Sequence, residues 1–152
     1  MEKVYQRIVD PGKGDCMQAA IATLFKDKYE NVPAFIEFGY DWWNKFIEYV
    51  ESKGYKKATY LYNPIIFANT HPEYSLERLK EFNGVDGLFY ATVCSPKYNP
   101  LGELGGITHA VIIDKQFNVV HDPNPANVNI KYPLYDEIYK GIRQVEIFEK
   151  CI

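Results

Sequence analysis

A chain of 152 residues, 47% hydrophobic and 24% charged, has the size and composition of one globular domain, and we expect residues 1–152 to form it. The net charge of −3 comes from well-mixed signs, which disfavours broad attraction to nucleic acid or an anionic membrane. No apolar run could span a bilayer, and the N-terminus lacks the apolar core of a signal peptide. We therefore expect a cytoplasmic protein that binds neither nucleic acid nor membrane.

The first predicted elements are a strand and two helices. Residues 4–9 alternate loosely, as in a short strand, and the turn-forming run of residues 10–14 follows. Apolar residues then recur at the spacing of a helix buried on one side: Met17, Ala20, Ile21, Leu24 and Phe25. A second helix is predicted between Asp41 and Gly54, with a buried stripe of Trp43, Phe46, Ile47 and Val50.

The later part of the chain is predicted to be mainly strand. A third helix is expected over residues 75–82, before the turn residues Asn83 and Gly84. Aromatic and β-branched residues favour strands over five segments: residues 56–62, 87–94, 108–113, 118–121 and 143–148. N-terminal helices packed on a C-terminal antiparallel sheet define an α+β fold, which is the fold class that we predict.

The three cysteines are odd in number and lack CxxC spacing. This pattern argues against a disulfide framework and against a thiolate zinc site, so a special role must belong to a single thiol. Cys94 is expected in a buried strand and Cys151 as an exposed terminal thiol. A metal held by Cys16, His109 and Asp122 would lack a fourth protein ligand, and we expect neither a metal nor a cofactor.

Cys16 is predicted to be the first residue of the first helix, with Asp15 as N-cap and Gln18 completing a capping box. Partial positive charge at a helix N-terminus favours the thiolate, which is the nucleophilic form of cysteine. The N–H groups there can also donate to the oxyanion of a tetrahedral intermediate. The pattern predicts a catalytic nucleophile, against the alternative of a small residue that merely ends a helix.

Gln6 is a candidate second oxyanion donor. Its amide would reach the start of the first helix if the loop over residues 10–14 folds back. An exposed glutamine on the first strand is the alternative, and the sequence leaves both open.

His109 and Asp122 are predicted to meet through the register of a hairpin. A symmetric turn at residues 115–116 places His109 opposite Asp122 and Val111 opposite Val120. Directly opposed residues share a face, with Cβ atoms about 4.5–5.5 Å apart. An aspartate can then bond one imidazole nitrogen and leave the other to take the cysteine proton. The alternatives are a strand-edge histidine and a turn aspartate before proline.

Three segments carry a family resemblance: GDCMQAA at residues 14–20, ITHAV at 107–111 and VHDP at 120–123. They resemble papain-like cysteine peptidases of the bacteriocin-processing type. The stretches VPAF at 32–35 and HDPNP at 121–125 are similar to those of small papain-like proteins of bacteria and their phages.

The resemblance implies a papain-like fold with catalytic Cys16, His109 and Asp122 and with Gln6 as oxyanion donor. Met17 stands where bacteriocin-processing peptidases commonly have glycine, which leaves the subfamily open.

The leading functional prediction is thiol-dependent hydrolysis of a peptide, isopeptide or related amide bond through an acyl-enzyme, with a protein or peptide as substrate. An acyltransferase or deamidase would use the same three residues. The alternative of a different class is a binding protein that has kept the fold without activity, such as a phage-encoded modulator of a host process.

Overall fold

The computed structural model describes residues 2–9, 14–63, 71–99, 101–102, 106–127 and 141–152. In this part of the chain there are two α-helices, α1 (Cys16–Leu24) and α2 (Trp42–Ser52). The strands are β1 (Tyr55–Tyr62), β2 (Phe89–Cys94), β3 (Thr108–Ile113), β4 (Val119–His121) and β5 (Ile142–Lys150). Short 3-10 helices span Tyr29–Asn31, Phe35–Asp41, Pro72–Tyr74, Leu76–Glu81 and Pro125–Asn127. The predicted α+β class is confirmed.

The strands form one antiparallel sheet in the order β1-β5-β2-β3-β4. β5 is last in the chain, yet it inserts between β1 and β2 and pairs with both. Hydrophobic clusters cover both faces of this sheet, because alternate strand residues point to opposite sides. Both α-helices pack on one face, while Leu76 and Leu79 cover the other.

Helix α1 is enclosed on nearly every side, so the prediction of a helix buried on one side is wrong. All residues from Gln18 to Leu24 are buried. Three of them are alanines, whose small side chains let the helix lie close to β2 and β3. On another side, the Val4 N–H donates to Thr23 Oγ1 at 2.9 Å.

Helix α2 follows the prediction with one exception. Phe46 and Val50 are buried and Ile47 packs against them, but Trp43 remains 39% exposed. Tyr49 is buried instead, and its hydroxyl donates to Asp27 Oδ2 at 2.8 Å. Among the described residues, no helix has the length and apolar character needed to cross a bilayer.

Two segments have a different secondary structure from the one predicted. Residues 4–9 form no strand, because their N–H groups bond side chains and a loop carbonyl rather than a neighbouring strand. The predicted third helix is a 3-10 helix over Leu76–Glu81, capped by the Ser75 hydroxyl. The five later strands are present, with ends shifted by at most two residues. Residues 10–13 of the predicted turn lie outside the described residues.

The register of the β3–β4 hairpin also differs from the prediction. Ile112 pairs with His121 and Ile113 with Val119, with an irregularity between the two pairs. His109 is therefore not directly opposite Asp122, and the predicted pairing of Val111 with Val120 is wrong as well.

The cause lies in the turn, which is longer than two residues. Asp114 N–H donates to the Asn118 carbonyl at 3.1 Å, and the Asp114 carboxylate accepts the N–H groups of Gln116 and Asn118, each at 2.9 Å. Phe117 adopts a left-handed conformation with φ 64°. The Asp114 carboxylate thus takes the place of a backbone acceptor in the turn, as aspartate side chains often do, and the register is shifted.

Replacing Phe46 with alanine should lower the free energy of unfolding by about 3–5 kcal/mol, because the cavity would open among packed rings. Phe46 is 1% exposed and contacts the rings of Phe35, Tyr90 and Phe148. Urea unfolding measures the change. Tyr40→Ala is the control, since Tyr40 is fully exposed, and equal effects of the two variants would contradict the described core.

Candidate active site

Cys16 is the first residue of α1 and is half-buried. Asp15 occupies the N-cap position, but its side chain makes no capping bond, so that part of the prediction is wrong. The carboxylate instead accepts the N–H groups of Arg7 at 3.0 Å and Ile8 at 2.9 Å, and the Tyr29 hydroxyl at 2.5 Å. These three donors hold the carboxylate and take the place of the N–H groups of the first helical turn.

The predicted capping box is absent for a related reason. Gln18 Nε2 donates to the carbonyls of Tyr29 and Val32 at 3.2 and 3.1 Å, and it thereby ties α1 to the following loop. Among the described residues, no acceptor takes the N–H of Cys16. This donor, at the positive end of the helix dipole, is available to an anion beside the sulfur.

The structure brings His109 and Asp122 together despite the altered register. His109 Nε2 lies 2.5 Å from Asp122 Oδ1, and the two side chains are only 9% and 7% exposed. Asp122 follows the last residue of β4, where the chain turns. Asn124 N–H donates to Oδ1 at 2.8 Å and Asn127 Nδ2 to Oδ2 at 3.2 Å, and these two bonds aim the carboxylate.

Cys16 and His109 lie together on the walls of two cavities, and Cys16 is among the groups that raise the pKa of His109. Because Nε2 is engaged by Asp122, Nδ1 is the ring nitrogen left for a second partner. Burial alone would lower the pKa of His109, but the hydrogen bond and charge of Asp122, together with the nearby Cys16 side chain, outweigh it and raise the pKa to about 9. At neutral pH the imidazole is therefore protonated beside the Asp122 carboxylate.

Gln6 lies beside these residues rather than exposed on a strand. Together with Cys16 and His109 it lines a cavity of about 340 Å³. Its Nε2 donates to the Ile8 carbonyl at 2.8 Å, which uses one of the two amide hydrogens. Its Oε1 is buried and accepts no bond from the described residues.

Two further cavities lie nearby, and Cys16 lines one of them. One of about 390 Å³ is mainly apolar and is lined by Cys16, Met17, Phe35 and Trp42, among others. Met17 and Trp42 also line a larger cavity of about 660 Å³, whose wall includes Glu146. These cavities share wall residues, and we call the three together the groove; Cys16 lines two of them.

The other candidate groups lie apart from this site. His121 Nε2 bonds the Val4 carbonyl at 2.6 Å, and burial lowers the pKa of His121. Cys94 is buried and Cys151 exposed, as predicted. No group of three His, Cys, Asp or Glu side chains within the described ranges is arranged to hold a metal ion.

Asn127 and Tyr29 are the partners that sequence reasoning missed. Asn127 follows a run of turn-forming residues, DPNPAN, in which an amide close to the aspartate is a detectable signal. Tyr29 carries no such signal, because its bond to Asp15 depends on how the loop after α1 packs.

Comparisons with known proteins give no further guide. No protein-family model matches the chain, no curated protein matches it, and no solved structure matches it. A function can be inferred only from the geometry around Cys16.

Asp122→Asn should shift the His109 titration midpoint from near pH 9 to lower pH by about one pH unit or more, because an attractive charge is lost while burial remains. NMR of the imidazole C–H signals, assigned with a His109→Gln variant, measures the midpoint. Asp86→Asn removes an equal charge from an exposed ion pair with Lys26 and should leave the midpoint unchanged. An unshifted midpoint in Asp122→Asn would contradict the described pair.

Proposed function

We propose that the protein is a thiol-dependent hydrolase that cleaves a peptide, isopeptide or related amide bond through an acyl-enzyme on Cys16. The observation that carries the proposal is the buried pair of His109 and Asp122, with His109 and Cys16 on the walls of the same two cavities. A papain-like relationship is part of the proposal. It is supported by a buried helix that begins at the cysteine and packs on a sheet carrying the histidine.

In the first half-reaction the Cys16 thiolate attacks the carbonyl carbon of the substrate, and the carbonyl electron pair moves to oxygen. As the C–N bond breaks, the His109 imidazolium gives its proton to the leaving nitrogen. The products are a thioester on Cys16 and a free amine. Asp122 keeps the ring in the orientation that presents Nδ1 to this transfer.

Water completes the cycle. Neutral His109 removes a proton from a water molecule as its oxygen attacks the thioester carbon. Collapse of the second tetrahedral intermediate breaks the C–S bond, releases the carboxylic acid and restores the thiolate beside a protonated imidazole. No proton or electron pair is left over.

The oxyanion of both intermediates would accept the N–H of Cys16 and the free amide hydrogen of Gln6. Such donors stabilise charge that appears only after attack, so they lower the barrier without tightening ground-state binding. The position of Gln6 in the cavity that also contains Cys16 and His109 supports this assignment.

The groove supports a peptide-like substrate. It offers an apolar section beside Met17 and Phe35 and a more polar section beside Gln6 and Asn124. An extended chain with side chains of mixed character can fill such a groove on both sides of the reacting carbonyl, whereas a small amide would fill only part of it.

A peptide library derived from a digested proteome tests the proposal, because it offers many candidate substrate sequences at once. The wild-type protein should generate new peptide termini, detected by mass spectrometry. Cys16→Ala should abolish them, and His109→Ala should slow their appearance by about 10²–10⁴-fold, as expected for loss of a general acid and base. Phe38→Ala, which changes an exposed side chain, serves as a control.

Other products would identify the related reactions. Conversion of glutamine to glutamate without new termini would indicate a deamidase, and new amide linkages would indicate an acyltransferase. If none of these products forms and Cys16 reacts with iodoacetamide no faster than Cys151, the proposal is wrong and the non-catalytic alternative stands.

The rate of the reaction should fall as pH rises through about 9, because the His109 proton is then lost and the leaving amine is no longer protonated. Since Asp122 raises the pKa of His109, Asp122→Asn should move this alkaline limb to lower pH. A pH profile of kcat/KM measures the limb. An alkaline limb at the same pH in both proteins would show that His109 is not the group responsible.

A further inference from the structure

Residues 4–8, which we call the N-terminal strap, connect the two halves of the proposed site. One end of the strap is tied to the sheet side. Gln6 N–H donates to the Pro123 carbonyl at 2.9 Å, and Pro123 directly follows Asp122. The Val4 carbonyl accepts a bond from His121 Nε2, which fixes the strap against the end of β4. The backbone of Gln6 is therefore held relative to Asp122.

The other end is tied to the nucleophile side through one carboxylate. The N–H groups of Arg7 and Ile8 both donate to Asp15, which directly precedes Cys16. The Tyr29 hydroxyl also donates to Asp15 Oδ2, at 2.5 Å. Gln6 is thus held on both sides, by bonds to the residue before Cys16 and to the residue after Asp122.

Asp15 is a buried carboxylate next to the proposed nucleophile. It is only 4% exposed, and a buried carboxylate is costly unless its oxygens are bonded. Its negative charge also lies next to the place where an oxyanion would form, which it disfavours by repulsion.

We infer that Asp15 is a positioning residue: its carboxylate holds the strap so that the Gln6 amide can reach the oxyanion. The inference rests on the proposed function, because the oxyanion forms only when Cys16 attacks a carbonyl. Asp15 itself touches no reacting atom. Its effect should therefore appear only in reactions that need an oxyanion donor.

Two reagents separate these reactions at the same sulfur. Iodoacetamide alkylates a thiolate by direct displacement of iodide, so no oxyanion is formed. p-Nitrophenyl acetate acylates it through a tetrahedral oxyanion, with p-nitrophenolate leaving and a thioester remaining. Both rates can be measured at Cys16 by mass spectrometry in a Cys151→Ser background, which removes the exposed thiol.

Asp15→Asn and Gln6→Ala should each slow acylation by about tenfold or more, in the range expected for loss or misplacement of one oxyanion donor. Alkylation should stay within about twofold of wild type, because thiolate formation depends on His109 rather than on the strap. The double variant should acylate no more slowly than Gln6→Ala alone, since Asp15 acts through Gln6.

A matched pair of variants covers the case in which Asp15→Asn fails to fold. Tyr29→Phe and Tyr49→Phe each remove one tyrosine hydroxyl bonded to a carboxylate, on Asp15 and Asp27 respectively. Tyr29→Phe should slow acylation by about threefold, consistent with one lost hydrogen bond, whereas Tyr49→Phe should not change it.

Wild-type acylation rates in Asp15→Asn and Tyr29→Phe would overturn the inference and leave the proposed function intact. The inference would also be overturned if the fold-reduction in the acylation rate of the double variant equalled the product of those of Asp15→Asn and Gln6→Ala. The two residues would then act independently. If Cys16 in the Cys151→Ser protein is acylated no faster than a small free thiol, both the proposed function and the inference are wrong.

Discussion

The enclosure of α1 is the constraint on which the rest of the structure depends. A helix whose residues Gln18 to Leu24 are all buried can neither rotate nor slide without breaking the contacts of its alanines with the sheet. Cys16 is the first residue of this buried helix and lies where the helix meets the groove. Its position relative to His109 is therefore set by the core, while Cys16 itself is only half-buried and lines two cavities. A rigid helix that presents a reactive group at its end suits the precision that proximity effects require.

The charges around this position are arranged in two separate sets. Asp122 and His109 form one set, which keeps the imidazole protonated beside the sulfur. Asp15 forms the other set with backbone N–H groups and the Tyr29 hydroxyl, whose hydrogen bonds stabilise the buried carboxylate. If both carboxylates faced the histidine, its proton would be held too tightly for transfer. Because the Asp15 carboxylate is bonded by Arg7, Ile8 and Tyr29, Asp122 is the carboxylate bonded to His109.

The sequence was sufficient to predict the two α-helices and the five later strands, because these follow from local periodicity. It was insufficient for features that depend on competition between partners. The Asp15 carboxylate accepts N–H groups of the strap instead of those of its own helix. The Asp114 carboxylate accepts N–H groups of the turn and so changes the register of the hairpin. The contact between His109 and Asp122 was predicted for the wrong reason, since it arises where the chain leaves β4. Residues 4–9 alternate like a strand, but no neighbouring strand pairs with them.

The central claim is that His109 activates the sulfur of Cys16. The most direct measurement is the rate of iodoacetamide alkylation at Cys16 and at Cys151 in the same molecule, with and without His109→Ala. Both cysteines are free thiols, and Cys151 is the exposed internal reference. We predict that Cys16 reacts faster than Cys151 below pH 7 and that His109→Ala removes this advantage. Equal rates at the two cysteines, or an advantage of Cys16 that persists in His109→Ala, would contradict the claim.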